Sequence, residues 1–267
     1  MRSFDQTKLN YKYHRAETTL IFIHGWPHNL TVWNDEVNYF RKKGYGTLAL
    51  DLRGHGESGK PKRLSSYSMN NFAKDINSIM IYEKIKNPVL IGHSFGGMVV
   101  LKFMSLFPNN ARAIVLIDTS YRNPLKDIRV IKQIKFNSFN RLLFKYIFTN
   151  LGLRKKHFKK VDFSKIKGHT DFFYFMKGVE ITPTLSIFAC LKDMLKFDES
   201  KILNKIKVPT LIIEGEKDYK TPINVARMMN RKIKGSKLVI IKGSSHDTNL
   251  FNPKRVSREI DTFLNEA

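Results

Sequence analysis

Cysteine is almost missing from this chain of 267 residues: Cys190 is alone, so no internal disulfide can form, and a reducing compartment suits the protein. Set between Ala189 and Leu191, that thiol reads as a small buried apolar group rather than a nucleophile. No run approaches the roughly 20 apolar residues that a bilayer span needs. Residues 1–13 are polar and charged and lack the apolar stretch of a secretory signal, so the expected location is cytoplasmic, at most peripheral at a membrane. The usual metal-ligand spacings are also missing, and no metal or organic cofactor is expected. Acids are scarce: 23 Asp and Glu stand against 47 Lys and Arg, for a net charge of +24 and a pI near 10.0. Such a balance suits nucleic acid, an acidic membrane or an acidic substrate. No recognition module for nucleic acid accompanies the charge, so no specific nucleic-acid partner is expected.

What is present is an alternation of short buried strands with helices. Thr19-Leu20-Ile21-Phe22-Ile23 is a continuous apolar run, the pattern of a parallel strand covered on both faces. Residues 31–43 read as a helix with Val32, Val37 and Phe40 inward and Gly44 past its end. Further strands are predicted over 47–50, 88–91, 113–117, 208–213 and 237–241, and helices over 70–83, 96–107, 222–229 and 253–264. Repeated units of this kind imply a mostly parallel sheet flanked by helices, with right-handed crossovers. The alternation breaks between about residues 122 and 200. That segment reads as helical, holds eleven of the twenty Phe, and carries much of the basic excess. Residues 122–167 alone contain fourteen Lys and Arg against Asp127 and Asp162. The predicted organisation is therefore an α/β core of residues 1–121 and 201–267, with a mainly helical cap of residues 122–200 inserted after the strand that ends near Asp118.

The chemistry is carried by Gly92-His93-Ser94-Phe95-Gly96, placed directly after a strand and before a helix. A sharp strand-to-helix turn pushes the serine out at the carboxyl end of the sheet, and only small flanking residues avoid a clash. Serine is a weak nucleophile and needs a base. His246 follows the last strand and falls at the same sheet edge, whereas His93 is held inside the turn and His157 and His169 lie in the insertion. The base needs a carboxylate, and Asp218 is expected to end the strand that begins near Leu211, at the same sheet edge, giving the chain order Ser, Asp, His. Asp118, ending the preceding strand, is the rival acid. Charge developing on a substrate carbonyl needs donors, and the N–H of Phe95 and the N–H of Trp26 are the candidates for both the oxyanion hole and substrate binding. Trp26 fits a core position equally well. His24 is expected to brace its loop by hydrogen bonds.

His24-Gly25-Trp26-Pro27, Asp51-Leu52-Arg53-Gly54-His55-Gly56-Glu57-Ser58, Gly92-His93-Ser94-Phe95-Gly96-Gly97, Gly215-Glu216-Lys217-Asp218 and His246 together resemble the α/β-hydrolase family. The resemblance covers residues 19–121 and 205–264. It is greatest with the capped serine-hydrolase branch, which holds small esterases, perhydrolase-like enzymes, C–C bond hydrolases and lipid-acting hydrolases. Relatives that attack with aspartate are disfavoured by serine at position 94. One departure is Ser245, where many relatives carry glycine.

The resemblance implies that residues 122–200 form a lid and that the protein cleaves an ester or related acyl bond of a small molecule through an acyl-Ser94 intermediate. Alternatives are a C–C bond hydrolase or acyltransferase with the same triad, and a binding protein that has kept the fold. In the lid, Ile128, Ile131, Ile134, Phe139, Leu142, Leu143, Tyr146 and Ile147 approximate one helical face, with basic residues largely off it. With Lys155, Lys156, Lys159 and Lys160 just beyond, this segment is expected either to cover the core or to dock on an acidic membrane surface.

Overall fold

A computed structural model describes residues 1–126, 160–166, 168 and 170–266. Seven strands form one sheet: β1 (Asn10–His14), β2 (Thr19–Ile23), β3 (Gly46–Asp51), β4 (Val89–His93), β5 (Ala113–Ile117), β6 (Thr210–Gly215) and β7 (Lys237–Ile241), in the order β1-β3-β2-β4-β5-β6-β7. Every neighbouring pair is parallel except β1 with β3, so the expected mostly parallel sheet is found. Burial on both faces explains the apolar runs. In β2, Leu20 and Phe22 enter one core cluster while Ile21 and Ile23 enter the other, as the twofold period of a strand dictates. Phe22 is fully buried against Trp33 and Phe40; truncating a buried Phe to Ala costs about 3–5 kcal/mol.

Helices cover both faces. On one, α1 (Asn34–Lys42) lies against the last helix, residues Pro253–Glu266, through Phe40, Val256, Ile260 and Phe263. On the other, α2 (Met69–Glu83) and α3 (Phe95–Leu106) pack together. The segment read as one helix over 31–43 begins instead as a 3₁₀ turn, Leu30–Trp33, capped by the Asn29 side chain. β1 and the short helix Thr248–Phe251 have no counterpart in the sequence reading. β1 is a half-exposed edge strand of mixed residues, with no apolar run to reveal it.

From the insertion, α4 (Asp171–Ile181) and α5 (Thr184–Met194) stand over the carboxyl edge of the sheet. Cys190 is fully buried in α5, as expected, and burial pushes its thiol up. The insertion leaves and rejoins the core at one place: Arg122 and Asp198 form an antiparallel bridge, Asn123 N–H donates to Phe197 O at 2.8 Å and Glu199 N–H to Tyr121 O at 2.8 Å. The amphipathic stretch 128–147 and Lys155, Lys156 and Lys159 lie outside the described residues. Lys160 is described, and its ammonium pairs with Glu57 at 2.6 Å. Among the described residues no helix is long and apolar enough to cross a membrane.

The glycine-rich loop after β3 is wired by charge. Arg53 is fully buried, with its guanidinium donating to Asp75 at 2.5 and 2.7 Å, to Asp5 at 2.8 Å and to Ser66 O at 2.7 Å. Asp51 accepts from the N–H groups of Leu30 and Glu57, both at 2.8 Å. A buried cation with every donor engaged holds this loop in one shape, which steadies the edge on which the site is built.

Candidate active site

Ser94 sits between β4 and α3 with φ 51° and ψ −117°, a conformation a side chain rarely adopts. Close backbone contact enforces the turn. A Cβ on Gly96 would stand 2.2 Å from Ile23 O, and one on Gly92 would stand 2.5 Å from Gly96 O. Ser94 N–H donates to Ile117 O at 2.9 Å, stitching the turn to β5. The hydroxyl meets His246: Nε2 lies 2.9 Å from Ser94 Oγ, and Nδ1 lies 2.6 Å from Asp218 Oδ2. With Nδ1–H donating to the carboxylate, Nε2 is the acceptor facing the serine O–H.

The two candidate acids separate by what they touch. Asp218 lies just past β6, on the turn rather than at the strand's end, and is nearly buried. Its Oδ1 accepts from the N–H groups of Lys220 at 2.7 Å and Thr221 at 3.0 Å, and its Oδ2 from Thr221 Oγ1 at 2.7 Å. Burial raises its pKa, but the charge and hydrogen bond of His246 and the Thr221 bonds outweigh burial and hold it down at about 2. Asp118 makes no hydrogen bond to the imidazole. It accepts from Gly215 N–H at 2.9 Å and from Thr248 N–H and Oγ1 at 3.0 and 3.1 Å, tying the turns after β5, β6 and β7 together. Burial and then the nearby Asp218 charge push Asp118 well up, and burial, Asp118 and Asp218 do the same to Glu214. Three carboxyl groups thus share one buried corner, and the one against His246 is the one kept ionised.

The loop after β2 crosses directly over the serine: a Cβ on Gly25 would lie 2.7 Å from His93 Nδ1 and 3.2 Å from Ser94 Cβ. His24 braces it as expected, its Nε2 accepting from Leu52 N–H at 3.0 Å and its Nδ1 lying 2.8 Å from Gly25 O. The N–H groups of Trp26 and Phe95 have no hydrogen-bond acceptor among the described residues, which leaves both free for a ligand oxygen. Their side chains differ. Phe95 points into the core against Phe72, so only its backbone belongs to the site. Trp26 is half-buried and lies edge-on to Phe175 of the insertion, with ring centroids 5.6 Å apart.

The histidines around the triad hold loops. His93 Nε2 donates to His246 O at 2.9 Å, a bond between nucleophile turn and base loop that the sequence reading missed. Burial depresses His24 and His55 to about 3 and His93 to about 4, and takes His28 well below the usual range. They are neutral at neutral pH. His28, His93 and Asp247 bring ligand atoms within 4.8 Å of one another, as do Asp118, Glu214 and Asp218. In the second group the atoms are already committed to loop bonds, Asp118 to Gly215 and Thr248 and Asp218 to His246 and Thr221; in the first only His93 Nε2 is, to His246 O, while the His28 ring nitrogens and the Asp247 carboxylate have no hydrogen-bond partner among the described residues. Ser245, the departure from the family pattern, donates through Oγ to Asp171 of α4 at 2.9 Å.

The alpha/beta hydrolase fold family matches residues 18–253 of the chain. Among curated proteins, the AB hydrolase superfamily protein YisY of Bacillus subtilis (strain 168) is 27% identical over 256 residues, covering 92% of this chain and 91% of that protein. The bifunctional esterase/perhydrolase DCH of Acinetobacter calcoaceticus is 22% identical over 275 residues, covering 94% and 92%. Among solved structures, a bromoperoxidase from Bacillus anthracis superposes with a TM-score of 0.78 at 22% identity, covering 99% of both chains. The esterase EaEST from Exiguobacterium antarcticum gives 0.77 at 20% identity, covering 99% of this chain and 98% of that one. These two structures are like this chain in fold.

Proposed function

We propose that this chain, which belongs to the α/β-hydrolase family, is a serine hydrolase that cleaves a carboxylic ester or related acyl bond through an acyl-Ser94 intermediate. The observation that carries the reading is the bonding of one imidazole on both sides, to Asp218 at 2.6 Å and to Ser94 at 2.9 Å. Ser94 Oγ attacks the carbonyl carbon while His246 Nε2 takes its proton. The tetrahedral oxyanion is held by the N–H groups of Trp26 and Phe95, and the ionised Asp218 stabilises the imidazolium. Collapse breaks the ester C–O bond, and His246 returns the proton to the leaving alkoxide. Water, activated by the same nitrogen, then attacks the acyl carbon and releases the acid and free Ser94. Relatives named as esterase and esterase/perhydrolase agree with acyl chemistry.

A fluorophosphonate probe tests the nucleophile: single labelling that disappears in Ser94→Ala is expected, and labelling that survives there sinks the reading. A panel of p-nitrophenyl esters and thioesters then defines the acyl group. Adding peroxide or an alcohol to the same assay shows whether the acyl-enzyme is intercepted by a nucleophile other than water.

A further inference from the structure

Four residues on one side of α4 and its C-cap reach both loops that frame Ser94. Asp171, the first residue of the helix, is buried. Its Oδ1 accepts from Ser245 Oγ at 2.9 Å and from Asp247 N–H at 3.4 Å, and its Oδ2 from His246 N–H at 3.3 Å. One turn on, Phe175 meets the Trp26 ring. A Cβ on Gly178 would lie 2.8 Å from Pro27 O, and Thr182 Oγ1 donates to that oxygen at 3.1 Å. Positions 171, 175, 178 and 182 advance by four, three and four residues, the spacing that keeps side chains on one helix face. A single stiff element of the insertion therefore ties the loop of His246 to the loop of Trp26.

The His246 and Asp247 N–H groups are buried and have no backbone acceptor among the described residues, so Asp171 supplies what the turn after β7 lacks. The Ser245 bond belongs to this chain's own sequence, since glycine at that position has no hydroxyl to offer.

We infer that Asp171 is a positioning residue for His246. Acting through the backbone of residues 245–247, it sets where the imidazole stands against Ser94, and it makes that placement depend on α4 being seated on the core. The inference rests on Ser94 and His246 acting as proposed above. Reacting groups must be held within fractions of an ångström, and a misplacement near 1 Å costs on the order of a hundredfold in rate. A residue that merely fastened the lid would lower stability and substrate binding and leave the reactivity of Ser94 in folded protein unchanged.

The test measures fluorophosphonate labelling rate, kcat and KM on an activated ester, and the folded fraction, for Asp171→Ala, Asp171→Asn, Ser245→Gly and the Asp171→Ala/Ser245→Gly double variant. Glu180→Gln, on the exposed side of α4, is the control. In folded Asp171→Ala, labelling rate and kcat should fall together by on the order of ten- to a hundredfold, with KM changed by less than about threefold. Ser245→Gly should show a smaller fall, and the double variant should be no worse than Asp171→Ala, because the two side chains act through one bond. Where Asp171→Ala fails to fold, Asp171→Asn and Ser245→Gly carry the same comparison. Labelling at the wild-type rate, a change confined to KM, or a loss that only tracks unfolded protein overturns the inference. Wild-type protein that does not label at Ser94 overturns the earlier reading, and this one with it.

Discussion

The core and the insertion hold the same site by different means. In the core, position is dictated by backbone: Gly96 presses on Ile23 O, Ser94 N–H bonds to β5, and Asp118 laces three turns together. In the insertion, position depends on one helix face, through the side chains of Asp171 and Phe175 and the bare backbone of Gly178. Backbone constraints tolerate few residue types and so leave motifs; a helix face can be met by many sequences and leaves almost none. The core thus carries the proposed chemistry in recognisable spacing, and the insertion contacts the loops that align it.

The comparison breaks first at Ser94. Ser94→Ala should lower ester turnover by a thousandfold or more with the unfolding temperature nearly unchanged, because the triad acts as a unit. The next test sets two core acids against each other. Asp218→Asn should slow kcat by a hundredfold or more in folded protein, as the imidazole loses its orienting charge. Asp118→Asn should act chiefly on the unfolding temperature, since its oxygens serve Gly215 and Thr248. If Asp118→Asn were the crippling change, Asp118 would be the working acid.

A smaller effect is expected from the insertion. The Cβ of Gly178→Ala would meet Pro27 O at 2.8 Å, so either α4 or the loop of Trp26 and Pro27 must shift. The expected result is a fall in kcat of about tenfold with a modest drop in thermal stability; full activity would show that α4 does not register that loop.

The smallest effect is in acid stability. Asp218 is held at about 2 against 3.8 unfolded, so its contribution is present above the unfolded value. That contribution is lost as pH falls through the folded one, between about 3.8 and 2. Urea unfolding at about pH 5 and about pH 3 should show wild type losing more stability than Asp218→Asn over that interval. Equal losses would show that the His246 pairing does not hold the carboxyl down.

How much was readable follows from the same contrast. Strands buried on both faces, such as β2 and β5, and the turn at Ser94 were legible because short continuous apolar runs in alternation with helices and tight glycine spacing have few other meanings. The choice between Asp218 and Asp118 was not closed by sequence, since both follow strands at one edge; three-dimensional bonding to Thr221 or Thr248 distinguishes them. β1 was missed because an edge strand needs only one covered face. Asp171 gave no signal at all: a lone acid opening a helix reads as a favourable first-turn charge, and its partners lie more than seventy residues away. His93 was placed in the turn, but its bond to His246 O required the fold.

The bridge between Arg122 and Asp198 bears on how such a protein diversifies. Because the insertion departs and returns at adjacent points of the core, its length hardly enters the closure problem that the core must solve, and long additions at such a point carry a small entropic cost. Replacing one insertion by another is then a change at two neighbouring junctions that leaves the sheet itself undisturbed. What a foreign insertion must still bring is an acceptor for the N–H groups of residues 246 and 247, so a graft that keeps an acid in register with Asp171 should be tolerated where one without it is not.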